Sequence, residues 1–427
     1  MDKVHHPSSQ LKVTPRIIIH GGAGNITRQT ISKEKYDRFQ TSQRRILASA
    51  NRLLSQPGAT ALDVATHAVS LLENDTLYNS GKGAVFTREG HNELECSIMV
   101  SNGYRKRSIG CMMLQHVKNP IKLARELLIR GEMPGGDGSQ DHCQYSGAFV
   151  ESLAQKWGLE IVQPSYFFTQ QRWDEHQRGL KEKAEASNGS AEMSEWEKEN
   201  YIPLGTCGAV VLDSEGTICV ATSTGGLTNK VPGRIGDTPT TGAGFWAEEW
   251  YEPESIRAPQ MVYTPSPITT PLEHLSRGNI RALALDCLPA FIPSSNPPET
   301  PPPPSQIAPK TSKAIRHAIG ISGTGNGDSF LKLAAARTVA ANARFARTSL
   351  SHALPWMSGP GGELQKSAGD RWDRTHEGTG GMIGIEVVGG RATVVQDFNC
   401  GGMVRAWTEE DGRQECLIFR EDSYESG

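Results

Sequence analysis

The cysteines of this chain are numerous enough to build something and are spaced so that they build nothing familiar. Eight stand at positions 96, 111, 143, 207, 219, 287, 400 and 416 of 427 residues, without a single C-x-x-C. Neither a zinc ligand set nor a compact disulfide framework is indicated. Charge of one sign is also missing: 44 basic residues face 47 acidic ones, for a net charge of -3. No broad field is available to draw in nucleic acid or an anionic membrane. No run approaches the roughly 18 to 20 apolar residues that span a bilayer, and Met1-Asp2-Lys3-Val4-His5-His6-Pro7 has no apolar leader. A cytoplasmic, reducing setting is expected, with a small-molecule or peptide substrate. No internal repeat is evident.

What is present is material for one large domain or two ordinary ones. Arg16 to His20 reads as a buried β-branched strand entering a glycine turn at Gly21-Gly22-Ala23-Gly24. Apolar periodicity predicts helices over 33–56 and 59–73, and further helices are expected over 120–130 and 145–157. Strands are expected at 98–100 and 109–114. Residues 170–205 turn polar and read as a mobile linker with at most some helix. Then 208–213 and 217–222 form a hairpin about Ser214-Glu215-Gly216. The proline-rich stretch 288–310 should be extended, and a glycine-rich polar stretch lies near 358–370. Between them come a strand at 318–322, a turn at 323–327 and one helix over 328–345. Residues 382–388 and 393–397 form a closing hairpin. Helices and sheets alternate as in a layered α/β or α+β domain.

Gly205-Thr206-Cys207-Gly208-Ala209-Val210 is the most informative stretch, since a threonine there separates the polar segment from a clear strand. Cut before Thr206, the chain would carry a hydroxyl and a free α-amine on one residue. An α-amine titrates at about 7.7 to 8.0, near enough to neutrality to take the hydroxyl proton. Thr206 would then be nucleophile and base at once. The competing reading is a threonine that merely begins a strand.

Other candidates carry paired readings. Gly323-Thr324-Gly325-Asn326-Gly327 precedes a helix but lacks the P-loop lysine and the dinucleotide spacing, so donors for a developing oxyanion suit it better than a phosphate cradle. His20 could act as a base, or be a strand-end histidine satisfied by neighbouring backbone. Arg234 and Asp237 could be a surface ion pair, or could hold the α-carboxylate and α-amine of an amino acid. Asn79 could be a turn residue, or an amide donor at a reacting centre.

Together these segments resemble the plant-type asparaginases, also called isoaspartyl peptidases, within the N-terminal-nucleophile hydrolases. The resemblance runs in order through His20-Gly21-Gly22-Ala23-Gly24, Tyr78-Asn79-Ser80-Gly81-Lys82-Gly83, Asn119-Pro120-Ile121-Lys122-Leu123-Ala124-Arg125, Gly205 to Val210, Ala221-Thr222-Ser223-Thr224-Gly225-Gly226, Gly233-Arg234-Ile235-Gly236-Asp237 and Gly323-Thr324-Gly325. It covers most of 16–248 and 316–405. It implies an α+β fold, a four-layer αββα sandwich, in a precursor that cuts itself between Gly205 and Thr206. Residues 1–205 would be the α chain and 206–427 the β chain of one domain, paired as an (αβ)2 assembly.

By the same resemblance, Thr206 attacks the substrate's side-chain amide and Thr224 bonds to the nucleophile. Thr324 and Gly325 form the oxyanion hole, and Asn79 lies near the nucleophile's amine. Arg234 clamps the substrate carboxylate, while Asp237 and the Gly327 carbonyl receive its ammonium. The 72–82 loop resembles one that binds structural sodium in some relatives; no catalytic metal or other cofactor is implied.

Some features depart from the pattern. Glu95-Cys96-Ser97 stands where relatives usually carry Asp-Ala-Ser, a change expected to alter packing behind the site. Segments 249–314 and 349–376 read as inserts, partly disordered, that could cover the site or bind a partner. Pro232 and Phe245-Trp246-Ala247-Glu248 are similar to the threonine aspartases, proteases of protein targets; Asp237, Thr224 and Thr324 favour the asparaginase side. A rival of another class is an uncut pseudoenzyme whose proline-rich insert docks onto SH3- or WW-type domains. The absence of a leader argues against a lysosomal glycosylasparaginase.

Overall fold

A computed structural model of the chain describes residues 13–185, 205–253, 314–420 and 424. The chain divides into two units, Met1–Tyr251 with Arg316–Gly427, and Glu252–Ile315. Nearly all of the second, the proline-rich stretch included, lies outside the described residues.

The strands are β1 (Arg16–Gly24), β2 (Leu94–Val100), β3 (Ser108–Leu114), β4 (Gln144–Ser146), β5 (Cys207–Leu212), β6 (Ile218–Thr224), β7 (Phe245–Pro253), β8 (Ala314–Gly325), β9 (Gly380–Val388), β10 (Arg391–Phe398), β11 (Gly402–Thr408) and β12 (Gln414–Leu417). The helices are α1 (Lys33–Leu54), α2 (Ala61–Glu73), α3 (Pro120–Arg130), α4 (Gly147–Lys156), α5 (Gln170–Glu185), α6 (Gly327–Leu333), α7 (Ala335–Phe345), α8 (Leu350–Ser358) and α9 (Glu363–Ser367). One sheet runs β12-β11-β1-β5-β6-β2-β3-β4 and the other β10-β9-β8-β7. This is an α+β chain.

Strand alternation distributes the hydrophobic residues, because successive side chains leave opposite faces. Ile17 and Ile19 of β1, with Ala209 and Val211 of β5, join a core with Ile46 and Leu47 of α1 and Leu62 and Val69 of α2. Ile18, Val210 and Leu212, one residue out of step, join Ala318 of β8 and Ile383, Ile385 and Val387 of β9. The alternate residues Ile319, Ile321 and Met382 pack with Val339 and Ala340 of α7 and Leu350 and Leu354 of α8. Local signals start the helices: Ser32 accepts from the Lys35 amide, Thr60 from the Asp63 amide, and Pro120 opens α3.

Several expectations are corrected. Gly21 to Gly24 do not turn; they continue β1, with a register shift between His20 and Gly22 against β11. The single helix over 328–345 is two, broken at Ala334, whose φ is 44°. The break has a cause: the first amides of α7 donate outward, Ala336 to the Ala243 carbonyl (3.0 Å) and Arg337 to that of Gly242 (2.8 Å).

The stretch 349–376 is no loose insert. Its helices α8 and α9 bury Leu350, Ala353, Leu354, Met357 and Leu364 in the core under β8 and β9. The linker expected from 170 is helical to 185, with Arg172 and His176 buried; 186–204 lies outside the described residues. So does 254–313, whereas 249–253 belongs to β7. Strands β4, β7, β11 and β12 carried no recognised signal.

Candidate active site

Thr206 stands at the head of β5, which is flanked by β1 (His20 beside Gly208) and β6 (Cys207 beside Ser223). Extending that antiparallel register by one residue sets Thr206 beside Thr224. Both line a cavity of about 230 Å³ together with Asn79, Gly205, Arg234, Asp237, Thr238, Gly325 and Gly327. The resemblance predicted all of these except Thr238. Thr324 belongs with them by contact. Gly205 must be glycine where it sits, because a Cβ there would collide with the Thr324 hydroxyl and come 2.8 Å from the Gly325 amide nitrogen. Thr324 Oγ1 accepts from the Ala23 amide (3.2 Å), which leaves its own proton to donate. Two potential hydrogen-bond donors thus crowd the residue that precedes Thr206.

The hydroxyl of Thr206 meets Thr238 Oγ1 at 2.7 Å. Thr224, predicted as its partner, instead accepts from the Gly226 amide at 3.0 Å. Thr238 is buried and fixed further by its carbonyl, which accepts from Thr222 Oγ1 (3.3 Å). It is a site residue that sequence reasoning missed. Asn79 donates to the Gly226 carbonyl (2.7 Å) and accepts from the Val85 amide (3.1 Å), which pins the loop after β6 to the cavity rim. His20 Nε2 lies 2.7 Å from Ser322 Oγ, and complete burial drops its pKa to about 3. His20 is thus a buried, neutral imidazole held at Nε2 by a side chain, with Nδ1 left without a partner among the described residues.

Charge gathers in the adjoining loop. Asp237 is buried, and desolvation raises its carboxyl to about 7 against the pull of Arg234. Its Oδ2 has no hydrogen-bond partner among the described residues, and neither do Nε and Nη2 of Arg234. Arg234 Nη2 does lie 3.2 Å from Asp328 Oδ2, a charge contact without hydrogen-bond alignment. A Cβ on Gly327 would fall 2.5 Å from Asp237 Oδ1 and 3.1 Å from Arg234 Nη2. Asp237 is therefore buried and Arg234 partly so beside α6, and the two are no surface ion pair.

Glu95 corrects another expectation. Rather than packing behind the site, it lines the cavity, accepts the Gly236 amide (3.2 Å to each oxygen) and lies 3.7 Å from Lys230 Nζ. Burial raises its pKa while Lys230 and Arg234 oppose the rise. Lys230, itself buried, donates to the Glu93 carbonyl (2.8 Å), and the Gly233 amide donates to the Glu93 carboxylate (2.9 Å). The loop bearing Arg234 and Asp237 is thus tied to β2. Neither Glu95 nor Lys230 had a sequence signal beyond position near a motif.

Buried polar atoms without partners on Arg234 and Asp237 thus stand beside two clustered hydroxyls and a glycine-threonine peptide in one cavity. The asparaginase family model matches residues 13–251. A Dictyostelium discoideum protein provisionally named isoaspartyl peptidase/L-asparaginase is 40% identical over 257 residues, covering 55% of this chain and 70% of that one. The Escherichia coli isoaspartyl peptidase is 38% identical over 232 residues, 54% of this chain and 67% of its own length. An Arabidopsis thaliana protein named probable isoaspartyl peptidase/L-asparaginase 2 is 27% identical over 421 residues, 94% of this chain and 98% of its own. The chain belongs to the asparaginase family.

Proposed function

We propose that this protein is a self-activating threonine hydrolase of L-asparagine and β-aspartyl peptides. The observation that carries the reading is one cavity that holds the Gly205-Thr206 peptide against Thr324 and Gly325 beside the unsatisfied Arg234 and Asp237. The names of the relatives favour it over a protein-directed threonine aspartase or a pseudoenzyme.

In the first reaction Thr206 Oγ attacks the Gly205 carbonyl, and the peptide C–N bond breaks as the Thr206 nitrogen takes a proton. Water then hydrolyses the ester, leaving a Gly205 carboxylate and a free Thr206 amine. In the second, that amine takes the hydroxyl proton and Oγ attacks the substrate's side-chain carbonyl. The C–N bond breaks, ammonia or an amino acid leaves with a proton, and water releases aspartate from the acyl-enzyme. Thr324 and Gly325 donate to the oxyanion in both. Arg234 takes the substrate carboxylate; Asp237 and the Gly327 carbonyl take the ammonium. Thr224, across the strand register from Thr206, and Asn79, at the cavity rim, keep their proposed places beside the nucleophile and its amine.

The three hydrophobic cores support a four-layer αββα arrangement of α and β chains. An (αβ)2 assembly is part of the same proposal on family resemblance, and a cytoplasmic location accords with Cys96 and Cys111 standing in register across β2 and β3 as free thiols. A structural sodium ion in the 72–82 loop fits the chain. A Cβ on Gly83 would collide with the Tyr78 carbonyl and lie 2.9 Å from that of Thr76, and one on Gly81 would collide with that of Glu73. Those oxygens suit a hard cation, which would stiffen the loop that carries Asn79.

Intact mass and terminal sequencing of wild type beside Thr206→Ala test the proposal. A fragment beginning Thr206-Cys207-Gly208 in wild type alone, with release of aspartate from asparagine, is the expected outcome. A wild-type chain that stays whole on long incubation refutes it.

A further inference from the structure

Beyond the groups already given a role, the cavity is lined by Arg172, Glu175, Gly179 and Glu182 of α5 and by Glu95 of β2. On α5 charge answers charge, since Arg172 Nη1 donates to Glu175 (2.8 Å). Glu95 differs in being built into the sheet that carries Thr206. It stands beside Thr224 in the β2–β6 register, and Thr224 stands beside Thr206 where the β5–β6 register is extended by one residue. Thr206, Thr224 and Glu95 thus form one rung across three strands, and all three line the cavity. The next rung, Cys207, Ser223 and Cys96, alternates to the other face, where both cysteines join the core with α1 and α2. With neighbouring strands about 4.8 Å apart, Glu95 sits about 10 Å from Thr206 along the rung.

The far end of the rung meets the loop that bears Arg234 and Asp237. Both carboxylate oxygens of Glu95 accept from the Gly236 amide (3.2 Å each). A Cβ on Gly236 would come 2.8 Å from Arg234 Nη1 and 3.2 Å from Glu95 Oε2, so guanidinium and carboxylate close over the same backbone point. Lys230 Nζ lies 3.7 Å from Glu95 Oε1, each side chain being 1% exposed. A buried pair of this kind adds little net stability. What it fixes is geometry.

A substrate held by Arg234 and Asp237 reaches Thr206 only if its side-chain carbonyl lies at the matching distance from its α-carbon. We propose that Glu95 is a positioning residue that sets the distance from the clamp to Thr206, and with it the length of side chain that is hydrolysed: one methylene, as in asparagine and β-aspartyl peptides, and not two, as in glutamine. The uncut chain supplies its own carbonyl at Gly205 and has no use for that distance, so self-cleavage proceeds without Glu95. The inference rests on the hydrolase reading, and the experiment separates the two.

Self-cleavage and asparagine hydrolysis are measured for wild type, Glu95→Gln, Glu95→Ala and the double variant Glu95→Leu with Lys230→Met. The double variant removes both buried charges together and serves where the alanine, by leaving Lys230 unpaired, keeps the chain from folding. L-aspartate and L-glutamate, which share one α-amino-acid end and differ by a methylene, are tested as competitive inhibitors. Wild type should bind aspartate about tenfold or more tighter than glutamate. Glu95→Ala and the double variant should self-cleave at the wild-type rate, yet lose about tenfold or more in kcat/KM for asparagine. They should also bring the two inhibitors within about threefold of each other. Glu95→Gln, which keeps an oxygen for the Gly236 amide, should lose less on both counts. An unchanged kcat/KM or an unchanged inhibitor ratio overturns the inference. So does a fall in self-cleavage that matches the fall in turnover, which would make Glu95 a residue of the fold alone. A wild type that neither cleaves itself nor hydrolyses asparagine sinks the hydrolase reading itself.

Discussion

The reaction centre and the substrate clamp share one cavity and differ in how finished they are. Around Thr206 the groups are neutral and already paired: its hydroxyl meets Thr238, and Thr324 accepts from Ala23. In the clamp, Arg234 and Asp237 are ionisable, largely buried and short of hydrogen-bond partners. The difference follows from what each must bind in the uncut chain. In the proposed mechanism the first substrate, the Gly205 carbonyl, is covalently present at the reaction centre, whereas the clamp serves an amino acid that arrives later. Self-cleavage should therefore depend on the first region and be indifferent to the second.

The largest break in that pattern comes from Thr324→Val, which removes an oxyanion donor used in both reactions. Both the cleavage rate, followed on denaturing gels, and kcat for asparagine should fall by about 10²- to 10³-fold. Loss in only one of them would mean that the two reactions use different donors.

Next comes Asp237, with the sign set by its raised pKa. Below about 7 its carboxyl is protonated in the free enzyme and offers no charge to a substrate ammonium; above about 7 the carboxylate is present. The wild-type kcat/KM should climb with pH through this region, by up to tenfold per unit. The Thr206 amine, titrating at about 7.7 to 8.0, adds a second rise. Asp237→Asn should erase the lower step and raise KM, while self-cleaving at the wild-type rate. An unaltered profile in the asparagine variant would assign the lower step elsewhere.

The smallest effect belongs to Thr238, a positioning residue that holds the nucleophile's hydroxyl. Thr238→Val should slow self-cleavage about fivefold to tenfold, the worth of one hydrogen bond of about 1 kcal/mol. Thr238→Ser, which keeps the hydroxyl, should restore it. Wild-type cleavage in Thr238→Val would show that the hydrogen bond contributes nothing to the rate, and slow cleavage in Thr238→Ser would show that the methyl contact is needed as well.

Legibility divided along similar lines. The contiguous motifs were readable because chemistry and backbone need coincide in them: Gly205 is small where the oxyanion donors approach, and Thr206 heads a strand. Thr238 was not, since an ordinary threonine after Asp237 bears no mark of a contact made 32 residues away. Helix α5 escaped because its cavity stripe, Arg172, Glu175, Gly179 and Glu182, is polar where an amphipathic helix is expected to be apolar. The stretch 349–376 did carry a helical spacing in Leu350, Leu354 and Met357, obscured by flanking glycine and proline.

By itself the sequence determined the family, the strand alternation that supplies two cores from one strand, and which residues to propose as nucleophile and clamp. Those are properties of neighbouring residues, or of motifs in a set order. The tertiary structure alone decided which hydroxyl meets Thr206, that Glu95 faces the cavity beside Arg234, and that a polar segment lines the cavity as a helix. Each of these depends on burial and on contacts between residues far apart in the chain, and burial is what turns an ordinary aspartate at position 237 into one that titrates near neutrality.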